Sequence, residues 1–283
     1  MRIYVVDAFT DRPFAGNPAA VCLLPAGPWP GDAWMRGVAA EMNHSETAFA
    51  LPLPAPAEAD WAIRWFTPLV ESTLCGHATL ATAHVLRGER GLAGTVRFLS
   101  RHYGVLLTHA GEGERTGITL DFPAIRSAAV PAPHGLSEAL GVTPEATFRS
   151  DRLGDLLTVL PDEVTVRAVA PDMDAVAALT RREGLRSVIV TAAAAGTSPG
   201  YDFVSRFFAP ARGISEDPVT GSAHTVLAPY WSQRLGRNEL TGHQASARAG
   251  LVRTAVHHDR VHLTGNAVTV LEGTLRVQPG TTV

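Results

Sequence analysis

Ser45-Glu46-Thr47-Ala48-Phe49-Ala50 has a counterpart 142 residues further on, Ser187-Val188-Ile189-Val190-Thr191-Ala192, and this pairing decides the fold. Working outward, Asp32-Ala33 matches Asp174-Ala175 before the strands, and Phe66-Thr67-Pro68 matches Phe208-Ala209-Pro210 after them. The spacing predicts one unbroken register over residues 32–68 and 174–210. Beyond the prolines the copies part by five residues. They rejoin where Cys75-Gly76-His77-Ala78-Thr79 falls against Ser222-Ala223-His224-Thr225, leaving a longer second loop from Ala211 to Gly221.

Each copy reads as short strands around few helices. Apolar periodicity with a capping Asp32 predicts a helix over Asp32–Met42. Gly76–Leu86 is small and apolar nearly all round, so it predicts a buried helix. The remainder is rich in turns, with 26 Gly and 20 Pro spread along the chain, and predicts antiparallel strands over 95–100, 105–108, 117–122, 247–256, 260–264 and 267–271. Pro123–Glu145, with Pro131, Pro133 and Gly135, has the composition of a connection. The expected class is α+β, two pseudo-symmetric halves, each a mixed barrel-like sheet wrapped around a central buried helix. The expected boundaries are residues 1–124 and 125–283, the last strand returning to the first half. Such halves are expected to meet at a cleft.

Composition narrows the function. The 283 residues are 46% hydrophobic and carry 24 Lys+Arg against 27 Asp+Glu, a formal net charge of -3. No basic run prepares a nucleic-acid or anionic-membrane surface. The two cysteines, Cys22 and Cys75, lack metal or redox spacing, and no long uncharged apolar run or leader is seen. A cytoplasmic protein acting on a small molecule is expected. The 11 histidines form no metal signature, and neither a phosphate loop nor a dinucleotide fingerprint occurs. Neither metal nor organic cofactor is expected.

A catalytic centre shared by two similar halves needs unlike groups on its two sides. By register Glu46 stands opposite Val188, a carboxylate against a plain strand residue. On a rigid strand facing an apolar cleft, desolvation raises a carboxyl pKa and suits it to general acid/base work. The alternative is a half-exposed strand with Glu46 in water. The loop Glu216-Asp217-Pro218-Val219-Thr220-Gly221-Ser222 is the second asymmetry, although acidic groups before a helix are also favoured by its dipole. Both apolar helices open on small residues, Gly76 and Ala78 in one, Gly221, Ser222 and Ala223 in the other, whose backbone N–H groups can hold a carboxylate without an arginine. His77 would stand beside the anion and Ser222 would donate to it; the alternatives are a core histidine and an ordinary N-cap. Cys75 precedes a helix start, where a thiolate is favoured, yet its partner by register is Ser222, so it is read as a small packing residue or minor site element.

Taken together, several blocks resemble the PhzF-like family of phenazine-biosynthesis isomerases. They are Val6-Asp7-Ala8-Phe9-Thr10, Phe14-Ala15-Gly16-Asn17-Pro18-Ala19, Asn43 to Phe49, Phe66-Thr67-Pro68 with Glu71, Gly76-His77-Ala78-Thr79, Glu216 to Ala223, and Gly265-Asn266-Ala267-Val268-Thr269-Val270. The resemblance covers nearly the whole chain. It implies a diaminopimelate epimerase-like fold, usually dimeric, with Glu46 as acid/base and His77, Asp217 and Ser222 completing the site. It also implies a cofactor-free hydrogen shift, best known on trans-2,3-dihydro-3-hydroxyanthranilate. Cys75 departs from the phenazine type, which has a small residue there. An amino-acid racemase or epimerase of the same fold, or a binding protein without catalysis, are the other readings.

Overall fold

A computed structural model describes residues 1–55, 57–111, 117–150, 152–196 and 200–279. The chain divides into two compact units, Met1–Phe122 with Thr264–Val283, and Pro123–Leu263.

The first unit contains β1 (Arg2–Ala8), β2 (Asn17–Leu23), α1 (Asp32–Met42), β3 (Glu46–Pro52), β4 (Trp61–Phe66), β5 (Glu71–Ser72), α2 (Gly76–Arg90), β6 (Thr95–Ser100), β7 (Gly104–Ala110) and β8 (Ile118–Pro123). The last strand of the chain, Ala267–Thr274, completes it by pairing antiparallel with β1. From β1 the sheet runs antiparallel to β2, parallel to β3 and antiparallel to β4. β4 then pairs antiparallel with β5 and parallel with β6, and β6 continues antiparallel through β7 to β8. α2 packs against β1, β2 and β3. Its Ala78, Leu80, Ala81, Ala83, Val85 and Leu86 are all buried. The buried Thr79 and Thr82 hydroxyls donate back to the carbonyls of Cys75 and Ala78, so the helix interior carries polar atoms without leaving them unbonded. α1 covers the other face, placing Trp34, Met35, Val38 and Ala39 on Phe49 and Phe66.

The second unit contains β9 (Ser127–Ala129), α3 (Leu136–Leu140), β10 (Ala146–Ser150), β11 (Asp155–Val159), α4 (Glu163–Ala168), α5 (Met173–Glu183), β12 (Ser187–Ala193), β13 (Phe203–Ala209), β14 (Ile214–Asp217), α6 (Gly221–Leu235), β15 (Glu239–Gln244), β16 (Gly250–His257) and β17 (Arg260–Gly265); the chain-terminal strand is therefore β18. The pairing scheme repeats that of the first unit. β11 is parallel to β12, β12 antiparallel to β13, β13 antiparallel to β14 and parallel to β15, and β15 antiparallel to β16. α6 takes the place of α2 and packs on β11, β15 and β16. The mixed α+β class with two similar halves is thus observed.

Three details differ from the sequence reading. Pro123–Glu145 is folded structure: β9 pairs with β10, and α3 buries Leu136, Ala139 and Leu140. Asp32 lies inside α1, whose N-cap is Gly31. The internal register slips by one residue. Thr47 faces Phe66 in the first unit, whereas Val188 faces Phe208 in the second, so Thr47 corresponds to Val188 and Glu46 to Ser187. The left-handed caps Asn43 and Gly184, each three residues before its strand, agree. α2 and α6 start at Gly76 and Gly221, so Cys75 corresponds to Thr220 and His77 to Ser222, not Cys75 to Ser222.

Candidate active site

In the first unit the polar groups gather where β3 begins and α2 starts. Glu46 opens β3, which is hydrogen-bonded on both sides and therefore rigid. Its side chain is only 13% exposed and turns to His77, with Oε2 3.6 Å from Nε2. The half-exposed alternative for Glu46 is thereby set aside. Ser72, on β5, donates its hydroxyl to Glu46 Oε1 at 3.2 Å. His77 is buried in the first turn of α2; on the far side of its ring, Asn17 Nδ2 lies 3.1 Å and Cys75 Sγ 3.6 Å from Nδ1. Ser45 donates to Asn17 Oδ1 at 3.4 Å. No side chain caps α2, so its first backbone N–H groups are not taken by a capping residue.

Glu46, Cys75 and His77 are also the one group of potential metal ligands among the described residues, their ligand atoms lying within 4.8 Å of one another. The sulfur, however, approaches Nδ1 and the carboxylate Nε2. An imidazole binds an ion through one nitrogen, so an ion at either ring nitrogen would be well placed for only one of the other two ligands. The arrangement suits proton transfer along the ring better than a closed metal site.

In the second unit the loop before α6 is held by Gln244 of β15. Gln244 Oε1 accepts from the Thr220 N–H at 2.7 Å, while Nε2 donates to the Asp217 carbonyl at 2.7 Å and to Thr220 Oγ1 at 3.0 Å. The Thr220 hydroxyl in turn donates to the Asp217 carboxylate at 2.5 Å. Asp217, Thr220 and Ser222 are all buried, and no side chain caps α6. Ser222 accepts from Arg186 Nη1 at 3.1 Å. That guanidinium is held in two hydrogen bonds of 2.6 Å by the wholly buried Asp155, which also receives the Ser187 hydroxyl. A fork-to-fork pair of this kind fixes geometry as well as charge.

The sequence residues therefore fall into two groups. Glu46, Cys75, Gly76, His77 and Ala78 stand together in one unit, and Asp217, Gly221, Ser222 and Ala223 in the other. Ser222 is not an N-cap, since Thr220 takes that place. Cys22 is wholly buried, and burial pushes its thiol up to about 12, as suits a packing residue. Sequence reasoning missed Asn17, Ser72, Arg186, Asp155 and Gln244. Asn17 and Ser45 lay inside the family-like blocks, but Gln244, Asp155 and Ser72 reach the site only through strand pairing.

The profile described as phenazine biosynthesis-like protein matches residues 6–273. An uncharacterized isomerase of Pseudomonas aeruginosa is 45% identical over 280 residues, covering 98% of this chain and 99% of that one. A crystal structure of a phenazine biosynthesis protein PhzF family member from Enterococcus faecalis superposes with a TM-score of 0.83 at 40% identity, over 98% and 99% of the two chains. A probable proline racemase from Agrobacterium radiobacter shares the fold alone, with a TM-score of 0.68 at 10% identity over 99% of this chain and 94% of that one. The fold is that of the racemase- and epimerase-like enzymes, and the class is isomerase. The chain belongs to the phenazine biosynthesis-like, or PhzF, family. Among the described residues no helix is long and apolar enough to cross a membrane.

Proposed function

We propose that this isomerase shifts a proton on a small carboxylate-bearing metabolite by general acid/base catalysis, without a metal or organic cofactor. The observation that carries the proposal is the shielded Glu46 carboxylate, one oxygen held by Ser72 and the other turned to His77. Glu46 removes a proton from an activated carbon and returns it at another position. His77, with a ring nitrogen toward that carboxylate, stabilises the charge as it changes.

The second set of residues handles the anion. Because Arg186 donates to Ser222 Oγ, the serine hydroxyl proton is directed away from the guanidinium and is available to a substrate oxygen. The uncapped starts of α2 and α6 add backbone N–H donors. Asp217, fixed by Thr220, completes the proton-handling groups.

The test is solvent exchange in deuterated water, with trans-2,3-dihydro-3-hydroxyanthranilate and a panel of small unsaturated and α-amino carboxylates as probes. Glu46→Gln should reduce both turnover and deuterium incorporation by about 10²- to 10⁴-fold, the span of a general acid/base contribution. Undiminished exchange in that variant would remove Glu46 from the chemistry.

A further inference from the structure

We propose that Asn17 is a positioning residue that fixes the tautomer of His77, keeping Nδ1 bare and the ring hydrogen on Nε2, toward Glu46. The inference rests on the reading of Glu46 and His77 as the proton-handling pair, and it adds a residue that this reading does not require.

The argument starts at the carboxylate. An ionised Glu46 can only accept, so the nitrogen that faces it, His77 Nε2 at 3.6 Å, must carry the hydrogen for the contact to be attractive. A neutral imidazole has a single N–H, which leaves Nδ1 as an acceptor. Two groups address that nitrogen, and both can donate: the Asn17 amide at 3.1 Å and the Cys75 thiol at 3.6 Å. The asparagine must then present its NH₂ and not its carbonyl. Ser45 secures this orientation by donating to Asn17 Oδ1 at 3.4 Å. Asn17 is itself wholly buried and begins β2, parallel to the strand that carries Glu46, so both side chains are anchored in one ladder. The hydrogen bonds from Ser45 to Asn17 and from Asn17 to His77 run in one direction, and the 3.6 Å charge contact of Nε2 with Glu46 continues it.

The opposite arrangement is chemically complete. With the amide turned over, Nδ2 would donate to Ser45, the amide oxygen would accept from Nδ1–H, and Nε2 would present a lone pair to a carboxylate. Like would then face like at the reacting pair, which is the cost that the observed orientation avoids.

The experiment is a long-range proton–nitrogen correlation spectrum of the full chain labelled at histidine with ¹⁵N. It is recorded at about pH 8, above the ordinary histidine range, with the His77 signals identified by their loss in His77→Gln. Expected are an unprotonated, pyridine-type Nδ1 and a protonated Nε2. In Asn17→Asp, the new carboxylate accepts only; Nδ1 should become protonated and the ring should hold its second proton to a pH higher by about one unit or more. A protonated Nδ1 in the unaltered protein overturns the proposal, and that measurement stands even where Asn17→Asp fails to fold. An unprotonated Nδ1 in folded Asn17→Asp overturns it as well. Neither readout needs a substrate, so failure of the tautomer assignment is distinct from failure of the Glu46 exchange test.

Discussion

His224 is the fourth residue of α6, two residues beyond Ser222, and its ring is wholly buried. Nδ1 donates to the Thr220 carbonyl at 2.8 Å, which helps to hold the loop that carries Asp217, and Nε2 packs over Gly242. Burial depresses its pKa to about 4, outweighing the hydrogen bond that acts in the other direction. The unfolded chain takes up this proton near the ordinary value of 6.5, the folded chain only near 4. Stability from this residue is thus fully present above the unfolded value and is lost as pH falls from 6.5 through 4, by on the order of 3 kcal/mol. Urea unfolding at a series of pH values from neutrality downward should show this loss, and His224→Gln should flatten it. An equal acid slope in the variant would show that other groups control it.

At the scale of elements, much was written in the local pattern. α1 was legible at both ends, and α2 at its start. Its last turn, Arg87 to Arg90, is polar and loses the all-round apolar signature; the stop is the left-handed Gly91. The one-residue slip between halves was hidden because Ser45 and Ser187 agree by chance at the wrong register. The longer β12–β13 connection restores the alignment by Phe208, so matches on either side of the slip look continuous. Only the cap residues and ladder partners expose it. The slip matters chemically, because the counterpart of Glu46 is a serine that donates to Asp155 and not a valine. Long-range partners such as Gln244 carried no local signal at all.

The turn between β1 and β2 shows how an element positions the site. Gly16 is left-handed at φ 64, and a Cβ there would lie 2.2 Å from the Ala8 carbonyl oxygen, a backbone atom. Asp7, buried beneath the turn, accepts the Phe14 N–H at 2.7 Å and ties the loop down. Gly16→Ala should therefore cost about 2 kcal/mol or more in unfolding free energy, by backbone strain and displacement. It should also disturb Asn17, its neighbour, and with it the His77 nitrogen signals. Wild-type stability in that variant would show that the turn has an easy alternative path.

For the whole molecule, the division into a continuous unit, residues 123–263, and one assembled from both chain ends sets an order of events. Strands β9 to β16 pair among themselves within the continuous unit, whereas β1 and β18 must find each other across the full chain, a larger loop-closure cost. Pulsed hydrogen exchange during refolding should protect amides of β12 and β13 before those of β1 facing β18. Simultaneous protection would indicate that the two units fold as one.

The pairing of Arg2 with Thr274 has a further consequence for the chain as the ribosome makes it. β1 emerges with one flank satisfied by its hairpin neighbour, and the other stays bare until β18 has been made. A nascent or truncated polypeptide lacking β18 thus displays a long, largely apolar edge to its surroundings, an invitation to intermolecular pairing that only β18 withdraws.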